Sequence, residues 1–149
     1  MKVRMADGRR YIEIIIRNEL RGSPLAGQEA NYVKYGEQYK VDPLLVVAIA
    51  FHESHYCKAY ADWHNEQYKN CAGIMNGGQE NGLIEFATYE QFIERHVALI
   101  ASYIYKDGRD TISEIGRKYA PVSSHFLNNS WIGSVTKKYH TLWSLVEGG

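Results

Sequence analysis

Residues 41–54, VDPLLVVAIAFHES, decide the fold predicted for this chain. Asp42 is a favourable N-cap, and Pro43 suits the first position of a helix because its missing N–H would have no partner there. The residues that follow are apolar on every side of a helix, so we expect a buried central helix. The run then ends in four polar residues, HESH at 52–55, whose chemistry the rest of the chain has to explain.

A metal site is one interpretation of these polar residues. The zinc histidines of an H-E-x-x-H motif are four residues apart and share a helix face, whereas His52 and His55 are three apart. That spacing still permits a shared face, but His64, Cys57 or Cys71 would have to complete the ligand set. No pair has the spacing typical of zinc sites. The sequence therefore favours polar residues at a helix end, and we predict no metal or other cofactor.

A general acid is the second interpretation. Glu53 ends an apolar helix and precedes a glycine-rich region, so its carboxyl group is expected to be partly desolvated, which raises its pKa. The partial negative charge of a helix C-terminus acts in the same direction. A carboxylic acid that stays protonated near neutral pH can donate its proton to a leaving oxygen. Many glutamates at helix ends are simply solvated, so Glu53 alone does not decide the function.

The composition limits the class of protein. The chain has 149 residues, of which 45% are apolar and 23% charged, with a formal net charge of zero. These values predict one globular domain over residues 1–149 and give no sign of nucleic-acid binding. The longest apolar stretch is too short to span a bilayer. The 12 tyrosines and 3 tryptophans fit ordinary packing, and they also fit a groove that stacks on sugar rings.

The remaining segments predict a mainly α protein with a small β-hairpin lobe. Residues 11–20 fit a helix or a strand, and residues 28–40 carry tyrosines at helical spacing. Glycine and asparagine recur in residues 57–87, which is typical of turns. We therefore expect GIM (73–75) and GLIEF (82–86) to pair as short strands. The result would be a helical bundle with one lobe inserted after the buried helix.

Helix boundaries are predicted in the second half of the chain. Thr88 with Gln91, and Thr111 with Glu114, each have the spacing of a capping box. We expect Pro121 to end the second of these helices. The last helix is expected to be capped at 129 or 130, by Asn129 or Ser130.

Five segments together resemble the lysozyme-like glucosaminidase and lytic transglycosylase domains that cut peptidoglycan. Residues 41–54 are similar to the family's catalytic helix, in which the acid is followed by Ser or Thr. NCAGIM (70–75) resembles the family's N-x-x-G-[IL]-M strand, and LIEFATYEQF (83–92) its hairpin return and helix start. TISEIGRKYAPV (111–122) and LNNSWIGSV (127–135) are similar to two segments that follow in the same order.

This resemblance implies a lysozyme-like α+β fold and cleavage of the β-1,4 bond between N-acetylmuramic acid and N-acetylglucosamine. It implies that Glu53 is the acid and that Tyr119 lies across the cleft from it. The floor of the cleft would be shaped by residues of the helix end and the following strand: Ser54, Asn70, Gly73, Ile74 and Met75. Tyr89 and Trp63 are candidates for stacking on sugar rings.

A second carboxylate is needed by most glycosidases, and two candidates remain open. Glu85 fits better by its distance along the chain from Glu53, and Glu80 by its place in a loop. The transglycosylase branch uses one glutamate, and the 6-hydroxyl of the sugar attacks to give a 1,6-anhydro product. Hydrolase and transglycosylase thus both remain open. A glycan-binding module of the same fold, without strong catalysis, is the alternative function.

The two cysteines depart from the family pattern. From spacing alone, Cys57 and Cys71 fit a disulfide, metal ligands or unrelated thiols. The resemblance makes their positions neighbours, so that a disulfide and two reduced buried thiols both remain open.

The predicted partner is the glycan strand of the bacterial cell wall, with no nucleic acid and no membrane insertion. The start of the chain, MKVRMADGRR, has charge but no apolar segment typical of a signal peptide. We therefore expect delivery as part of a bacteriophage virion, through a holin, or within a longer exported protein.

Overall fold

The computed structural model of the protein describes residues 9–58, 68–75, 82–119 and 125–148. Within these ranges the structure is mainly helical, as predicted. A π-helical segment, Ser102–Lys106, continues the fourth helix. The six α-helices are α1 (Arg9–Leu20), α2 (Glu29–Tyr39), α3 (Pro43–Ser54), α4 (Tyr89–Ala101), α5 (Ile112–Tyr119) and α6 (His125–Glu147).

The buried central helix is α3, and its N-terminus is built as predicted. The eight residues from Pro43 to Ala50 are all buried. The carboxylate of Asp42 accepts a bond from the Leu44 N–H at 2.9 Å and caps the helix. It also accepts bonds from the Tyr139 hydroxyl at 2.6 Å and the Trp143 indole N–H at 2.8 Å. Because both donors lie near the C-terminus of α6, α3 and α6 run antiparallel.

Most of the predicted helix boundaries are confirmed. The segment that fitted a helix or a strand is helical, as α1. Thr88 and Thr111 accept bonds from the backbone N–H groups of Gln91 and Glu114, respectively. The predicted start of the last helix was wrong, because α6 already begins at His125. Pro121 lies outside the described residues.

The predicted β-hairpin lobe is not seen, because the described residues contain no strand. An isolated antiparallel bridge joins Met75 and Leu83. The side-chain amide of Asn70 replaces part of the ladder: it accepts from the Ile74 N–H at 2.9 Å and donates to the carbonyls of Ile74 and Ile84, at 2.9 and 3.0 Å. One buried side chain therefore satisfies backbone groups that a strand pair would otherwise satisfy. The chain between the two bridge partners, 76–81, lies outside the described residues.

A continuous apolar core lies between the helices and surrounds α3. Its largest fully buried side chains include Trp131, Tyr32, Tyr139 and Phe92. Among the described residues, no helix is both long enough and apolar enough to cross a membrane.

Candidate active site

Glu53 lies in the last turn of α3, where the buried helix reaches the surface of the fold. Its side chain is partly buried, and this loss of solvent raises the pKa of its carboxyl group above the usual value. The carboxyl group also sits at the negative end of the helix dipole, which disfavours the charged form. Both effects favour the protonated acid, as expected from the sequence.

Trp131 of α6 is the direct partner of this carboxyl group. Its indole N–H donates to Oε1 of Glu53 at 2.9 Å, and the indole is only 2% exposed. This bond favours the carboxylate and so lowers the pKa of Glu53, but its effect is smaller than that of burial. The buried indole thus holds Oε1 of Glu53, whereas Oε2 takes no part in this hydrogen bond.

Tyr119 also contacts Trp131. The Tyr119 and Trp131 ring centroids are 5.4 Å apart. The Tyr119 hydroxyl forms a 2.9 Å hydrogen bond with Nε2 of His96, and Tyr103 from the π-helical segment meets the Tyr119 ring edge-on. The structure thus brings the predicted acid and the predicted cleft tyrosine into contact with the same indole, that of Trp131.

His96 anchors this aromatic group from inside the core. It is fully buried and stacks on Phe92, with ring centroids 5.4 Å apart. Burial lowers the pKa of His96 to about 3, so the imidazole is neutral at neutral and mildly acidic pH. Among the described residues its Nδ1 atom has no hydrogen-bond partner. Its bond to Tyr119 is therefore its one polar anchor there.

The chain after Glu53 is held in an unusual conformation. His55, Tyr56 and Cys57 all have positive φ angles, of 48°, 62° and 75°, which non-glycine residues rarely adopt. Such a run persists only where the surroundings enforce it. Here Ser54 Oγ accepts from the Cys57 N–H at 2.9 Å and donates to the Cys71 carbonyl at 2.5 Å.

A disulfide between Cys57 and Cys71 also enforces this turn. The Tyr56 hydroxyl adds a third tether through its bond to Glu19 of α1. The helix end that carries Glu53 is therefore tied covalently to segment 68–75, and by a polar contact to α1.

The predicted floor residues divide into buried and accessible ones. Ser54, Asn70 and Ile74 are at most 4% exposed, and the polar groups of the first two bond to backbone. Their burial makes direct contact with a ligand unfavourable, so a role in shaping the cleft floor stays a prediction. Gly73 is partly exposed with a φ of +64°, a conformation that favours glycine, and Met75 is 57% exposed. Contact of these two residues with a glycan stays a prediction.

The remaining candidates are placed unevenly. Glu85 is exposed. Tyr89 begins α4, is partly buried, and has the Lys69 ammonium 5.8 Å from its ring centroid. Trp63 and Glu80 lie outside the described residues.

Two of the ligands that the metal interpretation would need, Cys57 and Cys71, form a disulfide. The third, His64, lies outside the described residues. Among those residues there is no group of three or more side chains that could hold a metal ion. His52 packs edge-on against Trp131, with centroids 6.2 Å apart, and partial burial together with the charge of His55 lowers its pKa. His55 is the exposed C-cap of α3.

Sequence reasoning did not single out Trp131 or His96 as site residues. Trp131 lies in LNNSWIGSV (127–135), one of the segments that resemble the family, and that resemblance is the sequence signal that could have identified it. Nothing in the local sequence marks His96 as the partner of Tyr119. The chain matches no protein-family model and no curated protein, so the function must be argued from these residues and their geometry.

Proposed function

We propose that this chain is a peptidoglycan-cleaving glycosidase with a lysozyme-like arrangement, in which Glu53 is the general acid. The bond that it cleaves would be the β-1,4 link between N-acetylmuramic acid and N-acetylglucosamine. The observation that carries the proposal is the Glu53 carboxyl group itself. It stands at the end of a buried helix, its pKa is raised by burial, and a buried indole N–H fixes one of its oxygens.

The two carboxyl oxygens of Glu53 take different roles in this mechanism. Oε1 accepts the Trp131 N–H, so the acidic proton resides on Oε2 and is donated from there to the glycosidic oxygen. Donation leaves a carboxylate, which the Trp131 bond stabilises as the negative charge develops. Burial thus favours the protonated form of Glu53 before the reaction, and the indole would stabilise the negative charge after it.

The second half of the reaction has two candidate routes. In a hydrolase, Glu85 or Glu80 would activate water or stabilise the sugar cation. In a transglycosylase, the Glu53 carboxylate would take the proton of the 6-hydroxyl as that oxygen closes the anhydro ring. The exposure of Glu85 and the desolvated position of Glu53 favour the single-glutamate route. Tyr119, held by His96, would border the sugar subsite beyond Trp131.

The same proposal extends to fold and place of action. The α3 helix would correspond to the catalytic helix of the lysozyme-like families. The partner would be the wall glycan, reached within a virion, through a holin, or as part of a longer exported protein.

The first test is a mass spectrum of the soluble products released from purified peptidoglycan. Anhydromuramyl products that disappear in Glu53→Gln, and persist in the matched control Glu85→Gln, would support the single-glutamate transglycosylase. Products with free reducing ends that both substitutions abolish would support a hydrolase in which Glu85 is the second carboxylate. Activity that persists in Glu53→Gln would overturn the role of Glu53.

The binding-module alternative predicts a different pattern. Neither the wild type nor Glu53→Gln would release soluble products, yet both would sediment with insoluble peptidoglycan. A zinc hydrolase would instead lose activity on treatment with a chelator, whereas the proposed enzyme is expected to be unaffected.

A further inference from the structure

A pocket lies along the contact between α3 and α6. Its volume is about 390 Å³, and it is lined by Phe51, Ser134, Lys137, Lys138 and Thr141. This volume falls within the range of small-molecule sites. Phe51 precedes Glu53 by two residues, and side chains at that spacing point to different sides of a helix. The pocket therefore neighbours the candidate active site but is separate from it.

One lysine that lines this pocket, Lys138, is held in place and has its charge neutralised by an ion pair. The Lys138 ammonium lies 4.0 Å from the centroid of the Phe51 ring and pairs with the Glu19 carboxylate at 3.0 Å. That carboxylate also accepts the Tyr56 hydroxyl. The Lys138 side chain is only 20% exposed, so its stem and the Phe51 ring form an ordered apolar surface.

The other residues of α6 that line the pocket carry polar side chains. Lys137 is exposed and forms no ion pair within the part of the chain that the structure describes. Thr141 and Ser144 on the same helix each donate to the carbonyl four residues earlier, which is usual for hydroxyls in helices. Ser134 makes no such bond to any described residue. Within the described residues, an ammonium and a hydroxyl group without such partners thus lie beside the Phe51 ring.

We propose that this pocket binds a carboxylate group attached to a short aliphatic body, such as the free C-terminus of a peptide that ends in a small residue. The aliphatic body would pack on Phe51 and the stem of Lys138. The carboxylate would accept bonds from the Lys137 ammonium and the Ser134 hydroxyl. The peptides carried by wall glycan end in such groups, and for this natural source the inference rests on the proposed function.

The test is a titration of the full chain with Nα-acetyl-D-alanine, followed by backbone and aromatic NMR shifts. We expect shifts at Phe51 and Ser134, and affinity about three- to fivefold weaker in Lys137→Met, since a solvent-exposed charge pair contributes modestly. Lys137→Arg should retain binding. Lys106→Met removes an exposed lysine outside the pocket and should bind as the wild type does. The amide of the same probe should bind about three- to fivefold more weakly than the carboxylate, because it loses the same charge pair.

Three outcomes would overturn the proposal. The first is shifts that map away from Phe51 and Ser134. The second is equal weakening by the Lys137→Met and Lys106→Met substitutions. The third is inorganic phosphate binding as tightly as the carboxylate, which would indicate a general anion site. Because the titration needs no turnover, it can succeed in a protein that cuts no glycan, and Glu53→Gln should bind the probe normally in either case.

Discussion

The Glu53 carboxyl group is subject to opposing influences that are set by single residues. Burial at the end of α3 raises its pKa, and the Trp131 N–H lowers it. A general acid works only while protonated, so activity is expected to fall as the pH rises through the pKa of Glu53. The Trp131 bond would therefore help to set the alkaline limit of the proposed activity.

Replacing this indole donor gives a prediction about pH dependence. Trp131→Phe keeps an aromatic ring but removes the N–H, so the remaining effect of burial should raise the pKa of Glu53 further. The alkaline limb of the rate profile should move to higher pH, while the maximal rate falls because the carboxylate product loses its donor. We also expect a loss of about 1–3 kcal/mol in stability, as is common for substitutions in a core. A pH–rate profile on soluble glycan measures the shift.

Trp143→Phe is the matched control for this substitution. Trp143 lies on the same helix and also donates its indole N–H to a carboxylate, but that carboxylate is Asp42 at the opposite end of α3. The control should lose stability and keep the alkaline limb in place. An equal shift of the limb in both variants would contradict the role given to the Trp131 bond.

At the scale of elements, α3 depends on the interactions of its N-cap. Asp42 is fully buried and accepts bonds from a backbone N–H, a tyrosine and a tryptophan. Asp42→Ala should cost about 3 kcal/mol or more, because it removes the cap and leaves buried donors unpaired. Thr88→Ala, at the exposed cap of α4, should cost about 1 kcal/mol. Urea denaturation of the two variants tests this ranking, and similar costs would contradict it.

The contact between α5 and α6 provides a second prediction for elements. A Cβ atom at Gly116 would lie 2.8 Å from Cε3 of Trp131 and 2.9 Å from Cγ1 of Ile132, so Gly116→Ala should push α6 and its indole away. We expect a loss of about 1–3 kcal/mol from overpacking, together with lower activity. At Gly133 nothing lies within 4 Å of such an atom. Gly133→Ala should therefore stabilise α6 by about 0.5–1 kcal/mol, as thermal unfolding would show.

The predictability of these elements follows from how local their causes are. The caps at Asp42, Thr88 and Thr111 depend on residues two or three positions away, so the sequence predicted them. The hairpin prediction failed because the buried amide of Asn70 bonds to carbonyls four and fourteen residues further on. Such a replacement of strand pairing leaves no periodic pattern in the sequence.

At the scale of the whole molecule, the site combines parts that are distant along the chain. Glu53 and Trp131 are 78 residues apart in the sequence, and their bond exists because α3 and α6 pack antiparallel. The sequence identified Glu53 from the apolar helix before it. It could not identify the indole as its partner, nor the burial of Ser54 and Asn70, because both depend on how the elements pack.

A disulfide ties the turn that follows Glu53 to the segment 68–75. Cys57 and Cys71 are 14 residues apart, and closing a loop of about 15 residues contributes about 3 kcal/mol in the chain-entropy model. Reduction, or the Cys57→Ser and Cys71→Ser double substitution, should lower the free energy of unfolding by about this amount. It should also release the left-handed turn after Glu53, so activity should fall further than the fraction unfolded explains.

Thermal unfolding and product release, each measured with and without a thiol reductant, test both effects. The double variant serves as control, since reductant should not change it. Wild-type activity that survives full reduction at temperatures where the protein stays folded would show that the turn holds Glu53 without the disulfide.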